Sequence, residues 1–182
     1  MSAAEPLPDL DVQPSVDGQL GPLLAAITFD EEGRNCLRHA LRQAAHTGQP
    51  AIALHVVHEN EHSIGQYRRH DQGEPLRPNG DVARQMLADL CADVLARIPD
   101  GAGVRLRQVV VEGLPEGRIA EVAQLTGSKL IIVGGGTETP KKALDRWFGP
   151  QRGDAVRRRA TCPVLIADAD GNALGGPGLA AS

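Results

Sequence analysis

Short apolar runs alternate along this chain with segments of helical period. The runs are LLAAITF (Leu23 to Phe29), AIALHVV (Ala51 to Val57), VRLRQVVV (Val104 to Val111), LIIV (Leu130 to Val133) and VLIA (Val164 to Ala167). Several are continuously apolar, the pattern of parallel strands covered on both faces. Between them, Leu37, Ala40, Leu41, Ala44 and Ala45 fall on one helical stripe. A longer stripe takes Val82, Met86, Leu87, Leu90, Cys91, Val94, Leu95 and Ile98, with Asp81 read as its N-cap. Pro115 opens a third helix whose inward face is Ile119, Val122 and Ala123 and whose end is Gly127. The β-α-β-α order with right-handed crossovers predicts an α/β fold, one doubly wound parallel five-stranded sheet flanked by helices. In such sheets ligands gather at the carboxyl ends of strands where the strand order reverses, so the loops that follow strands are the candidate sites.

The ends of the chain break the pattern. Residues 1–21, rich in Pro, Asp and Gly, and residues 169–182 read as flexible tails around one domain at 22–168. Glu59 to Gly80, ENEHSIGQYRRHDQGEPLRPNG, is nearly devoid of apolar residues and reads either as a disordered or passive surface loop or as an ordered lid.

Composition narrows the classes. At 182 residues the chain is long enough to bury roughly two thirds of its unfolded surface without a disulfide or metal. Aromatic residues make up only 2%, so base-stacking on single-stranded nucleic acid is disfavoured. A formal net charge of -4 attracts neither a polyanion nor an anionic membrane, so any anion site must be local. Cys36, Cys91 and Cys162 are widely spaced and read as reduced, mostly buried thiols. The start has no basic segment followed by an apolar stretch, and no run approaches a membrane span, so the expected location is cytoplasmic.

Chemistry-bearing motifs are few. IIVGGGTETPKKALDRWFGP (Ile131 to Pro150) lacks the Gly-Lys-Ser of a P-loop, departs from G-x-G-x-x-G at Thr139, and the chain has no G-x-S-x-G elbow, so dedicated catalysis is not expected. His55, His58 and His62 with Glu59 and Glu61 have the side chains for Zn²⁺, but His55 lies in a strand, and no metal site is assigned. Arg157, Arg158 and Arg159 read as cations at a helix C-terminus, with a nucleic-acid patch as the alternative. Cys162 before Pro163 reads as a small residue entering an edge strand rather than a reactive thiol.

Five pieces taken together, in order, resemble the universal stress protein family over roughly residues 23–168. They are the first strand ending in Asp30, the helix CLRHALRQA, the strand LHVVHE, the stretch VVVEGLPEGRIAEVAQLTGSKLIIVGG and the closing CPVLIAD. The resemblance implies strand order 3-2-1-4-5, an adenine-nucleotide α-hydrolase-like fold, and a reversal between the first and fourth strands with Asp30 and Gly134 facing one another. It also implies an adenine-nucleotide site formed by Thr28, Asp30, Val56, Val133, Gly134, Thr137 and Gly149. In nucleotide-binding members, Gly-x-x-Gly, nine residues and Gly-Ser or Gly-Thr follow the fourth strand, so that bare N–H groups approach phosphate. Here the first glycine falls on Gly134, the second position is Thr137, eleven residues follow, and the last pair is Gly149-Pro150. Thr137 adds a Cβ and Pro150 removes an N–H and a hydroxyl, while Gly135, Gly136, Lys141, Lys142 and Arg146 are candidate compensation. Glu31 and Glu32 put negative charge beside the phosphate position, which opposes a triphosphate unless Mg²⁺ intervenes.

Two functions follow as expectations. One is a regulatory protein binding ATP or AMP, with at most slow ATP hydrolysis. The other is a homodimeric interaction module without nucleotide, whose last strand meets its copy and whose loops engage a regulatory protein partner.

Overall fold

Strand β1 (Leu23–Ala26) is four apolar residues long and buried at every one of them. A strand with no polar face must be covered twice, and its neighbours and helices do so. Parallel β2 (Ala51–Val57) lies on one side, with Leu23 opposite Ala51 and Ala26 opposite Leu54. Parallel β4 (Leu130–Gly136) lies on the other, with Leu23 opposite Leu130 and Ala26 opposite Val133. β3 (Leu106–Glu112) pairs outside β2, and β5 (Val164–Asp168) pairs outside β4, both parallel. The order of these five, 3-2-1-4-5, is the one expected. A two-residue antiparallel strand, β6 (Ala173–Leu174), adds a sixth beyond β5. The computed structural model describes residues 20–57, 79–99, 101–136, 162–168 and 173–174.

Alternation along the strands sorts the core into two layers. Leu23, Ala25, Ile27, Ala53, Val57 and Ile132 face α1 (Glu31–Thr47) and α2 (Asn79–Leu95), which supply Leu37, Leu41, Leu87, Cys91 and Val94. Leu24, Ala26, Leu54, Val109, Val111, Ile131 and Val133 face α3 (Pro115–Leu125) through Ile119, Val122 and Ala123. Each fully buried Leu, Ile or Val contributes about 1.5–3 kcal/mol relative to exposure. With α1 and α2 on one face and α3 on the other, the winding reverses between β1 and β4.

Local signals explain the helix limits. The Asp30 carboxylate accepts the Gly33 N–H at 2.9 Å and caps α1, which ends at Gly48 in the left-handed conformation with φ 73°. Pro115 starts α3 and Gly127 (φ 62°) ends it. There the Ser128 N–H donates to the Ala123 carbonyl and the Gly127 N–H to Gln124, a Schellman motif. Asp81 is not the cap expected of it: α2 begins two residues earlier, and the Asp81 carboxylate pairs with Arg84 at 2.6 Å within the first turn. Ile98 lies beyond the helix but stays in the core.

Candidate functional site

The chain is pinned one residue past the carboxyl end of β1. The Ile27 N–H donates to the Leu54 carbonyl at 2.8 Å, and the Ile27 carbonyl accepts the His55 Nδ1–H at 2.8 Å. A carbonyl can only accept, so His55 carries its proton on Nδ1. The imidazole is buried and its ring centroid lies 4.1 Å from that of Phe29, tilted by 31°. Burial pushes its pKa below the ordinary value, and the bond to the Ile27 carbonyl partly offsets that. β2 therefore grips the segment leading into α1 through two hydrogen bonds and one ring contact.

That segment is a tight turn. Thr28 Oγ1 donates to Asp30 Oδ1 at 2.6 Å, and the same oxygen takes the Gly33 N–H. A Cβ on Gly33 would lie 1.7 Å from the Thr28 carbonyl oxygen, so only glycine lets α1 fold back this closely. The first turn of a helix is a natural anion site. Here the protein's own Asp30 carboxylate occupies it, and Glu31 and Glu32 follow directly. Arg34 of that helix is drawn away to Asp93 of α2 and reaches Glu31 only at 3.6 Å.

β4 closes the other side of the mouth. Val133 is fully buried against the α3 layer, and half-buried Val56 packs against the same layer from β2. Gly134 faces the opposite layer, where a Cβ would stand 3.0 Å from the Glu32 carbonyl oxygen and 3.2 Å from the Glu32 Cβ. A side chain here would have to push the first turn of α1 back by a few tenths of an ångström, because that turn rests on the glycine; the contacting residue is Glu32, two positions beyond the expected Asp30. Past Gly134 the pairing with β5 slips: Gly134 is opposite Ala167 and Gly136 opposite Asp168. The extra residue, Gly135, is a β-bulge, which takes its backbone out of the regular ladder at the point where the strand order reverses.

Thr28, Asp30, Val56, Val133 and Gly134 thus lie at the carboxyl ends of β1, β2 and β4, as the sequence predicts. Thr137, Gly149, Lys141, Lys142 and Arg146 lie outside the described residues, as do His58, Glu59, Glu61, His62, the lid candidate up to residue 78, and Arg157 to Arg159. Among the described residues no group of three or more His, Cys, Asp and Glu is placed to hold a metal ion, and no helix is long and apolar enough to cross a membrane. Cys36 is buried under the mouth, its Sγ 3.3 Å from the Ile132 carbonyl and 3.6 Å from that of Ala26. All three cysteines are free thiols. Phe29 and the Glu32 contact carry no sequence motif; the acidic pair followed by Gly33 was the available sign of a crowded turn.

The model of the universal stress protein family matches residues 20–168. No curated protein sequence matches the chain. Among solved structures, a universal stress protein in complex with cAMP is similar with a TM-score of 0.55 and 15% identity, over 84% of this chain and 99% of that one. A universal stress protein family member from Burkholderia pseudomallei gives 0.54 and 21%, over 83% and 98%. The universal stress protein of Archaeoglobus fulgidus gives 0.53 and 14%, over 81% and 93%. At these identities the likeness to solved structures is one of fold.

Proposed function

Because the chain belongs to the universal stress protein family, we propose that it is a regulatory protein binding an adenine nucleotide, ATP or AMP, in the mouth between β1 and β4. The observation that carries this reading is the glycine bulge after Gly134, at the reversal of strand order. The base lies along the backbone at Val56, the ribose and first phosphate near Thr28 and Asp30, and the phosphates over Val133 to Gly136. Thr137, Gly149, Lys141, Lys142 and Arg146 complete the phosphate end in this reading, and Mg²⁺ accompanies the ligand if it is ATP. A structurally similar family member solved with cAMP supports the same ligand class. The role is regulatory and cytoplasmic, with at most slow ATP hydrolysis, and the folding unit is residues 22–168.

Thermal unfolding with ATP, ADP, AMP and cyclic AMP, each with and without Mg²⁺, tests the reading. Ligand at a hundredfold over Kd adds about 2.7 kcal/mol. For a domain of this size that raises Tm by about 5–11 °C. No rise with any of them at millimolar concentration discards nucleotide binding. One observation favours a second reading, a homodimeric module that regulates a partner protein without nucleotide: Asp30 already fills the anion position of α1. A stable dimer in sedimentation together with no nucleotide response supports that alternative.

A further inference from the structure

We infer that the first turn of α1 makes this mouth selective for a nucleoside monophosphate over the di- and triphosphate. The inference rests on the nucleotide reading above and adds to it the phosphate length. Three observations carry it, all from the turn that borders the phosphate end.

The first is that a carboxylate already takes two donors at the start of α1. The Gly33 N–H and the Thr28 hydroxyl both donate to one oxygen of the Asp30 carboxylate, at 2.9 and 2.6 Å. A phosphate arriving there meets a carboxylate where a helix N-terminus would ordinarily offer amide hydrogens. The second is how close that turn lies to the bulged strand. The Glu32 backbone packs onto Gly134 so tightly that a Cβ there would stand 3.0 Å from the Glu32 carbonyl oxygen. Phosphates running over Gly134 to Gly136 therefore pass beside α1, and the α1 atom nearest to where a Gly134 Cβ would stand is a carbonyl oxygen, an acceptor. The third is charge. Asp30, Glu31 and Glu32 are consecutive, and the Glu31 side chain is 71% exposed. Arg34, two positions on, pairs with Asp93 across the helix pair and reaches Glu31 only at 3.6 Å through its Nε.

A single phosphate at the bulge feels this field once. Each further phosphoryl group adds negative charge to the same side, and like charges in a partly desolvated mouth repel more strongly than in water. The bulge can hold one phosphate while the acidic turn rejects the rest of the chain.

Calorimetric titration of the full chain with AMP, ADP and ATP in EDTA tests this. The expected order is AMP tightest and ATP weakest, separated by at least about tenfold, or about 1.4 kcal/mol. Glu31→Lys, with Glu31→Gln as the milder variant, moves the ATP-to-AMP affinity ratio towards ATP severalfold, with helix content checked by circular dichroism. ATP binding as tightly as AMP to the unaltered chain overturns the inference and leaves nucleotide binding intact. A ratio unmoved in both Glu31 variants also overturns it. Failure of all three nucleotides to bind sinks both the inference and the reading beneath it.

Discussion

Gly33 in α1 and Gly117 in α3 make a paired test of the site's geometry, because helix propensity alone treats them alike. Alanine is the better helix former by up to about 1 kcal/mol at either position. At Gly117 a Cβ meets nothing within 4 Å, so Gly117→Ala should stabilise by up to about 1 kcal/mol. At Gly33 a Cβ would lie 1.7 Å from the Thr28 carbonyl oxygen, 2.6 Å from its carbon and 2.7 Å from the Thr28 nitrogen. Restoring even a 3.0 Å contact moves that backbone by 3.0 minus 1.7, or 1.3 Å. The backbone resists, since Ile27 is bonded to Leu54 and His55 and the Thr28 hydroxyl to Asp30. Overpacking strain runs to about 3 kcal/mol. Set against the propensity gain, the net loss for Gly33→Ala is roughly 2 kcal/mol. That corresponds to about 4–8 °C in Tm for a domain of this size. Urea unfolding of both variants, followed by far-ultraviolet circular dichroism, reads the two signs directly. Gly33→Ala equal to or more stable than the parent refutes the tight-turn argument, and with it the account of how Thr28 and Asp30 are held.

Asp30→Ala should cost about 1 kcal/mol through loss of the α1 cap, whereas Asp30→Asn keeps most of it, as chemical unfolding of both will show. His55 binds fewer protons folded than unfolded because burial lowers its pKa from 6.5. Its contribution is therefore intact at neutral pH and is lost as pH falls through about 6.5 towards the folded value, and His55→Gln should flatten that part of the stability profile. With an aromatic disulfide reagent, half-exposed Cys162 should react first, although burial raises its pKa against the pull of Lys129. Cys36, pushed far up by burial, and Cys91, pushed up to about 12, should react only on unfolding, and a fast native reaction at either would contradict the buried core.

The sheet was legible because central strands buried on both faces must be apolar throughout, as β1 is and β2 is save for His55, while the outer β3 carries Arg107 and Gln108 before its apolar run. β6 was not, since two residues carry no period. Asp81 was misread as a cap because Asn79, Gly80 and Asp81 are all residue types found at helix starts, and sequence does not rank them. The site was legible at the level of strand ends, which topology fixes. What each residue does there was not. Gly134 reads in sequence as an approach for phosphate, while its structural cause is the Glu32 backbone, a contact spanning β4 and α1. Asp30 reads as a ligand contact and serves first as a helix cap. His55 reads among neighbouring histidines, yet its partner is the Ile27 carbonyl, 28 residues away in the chain.

The central claim is that the bulged end of β4 beside the α1 turn receives the phosphate of an adenine nucleotide. Backbone amide resonances followed during an AMP titration test it most directly. The account predicts saturable shifts concentrated at Thr28 to Asp30, Val56 and Gly134 to Gly136, with α2 and the far ends of the strands undisturbed. Saturable shifts that leave Gly134 to Gly136 unmoved, or no shifts at millimolar AMP, would contradict it.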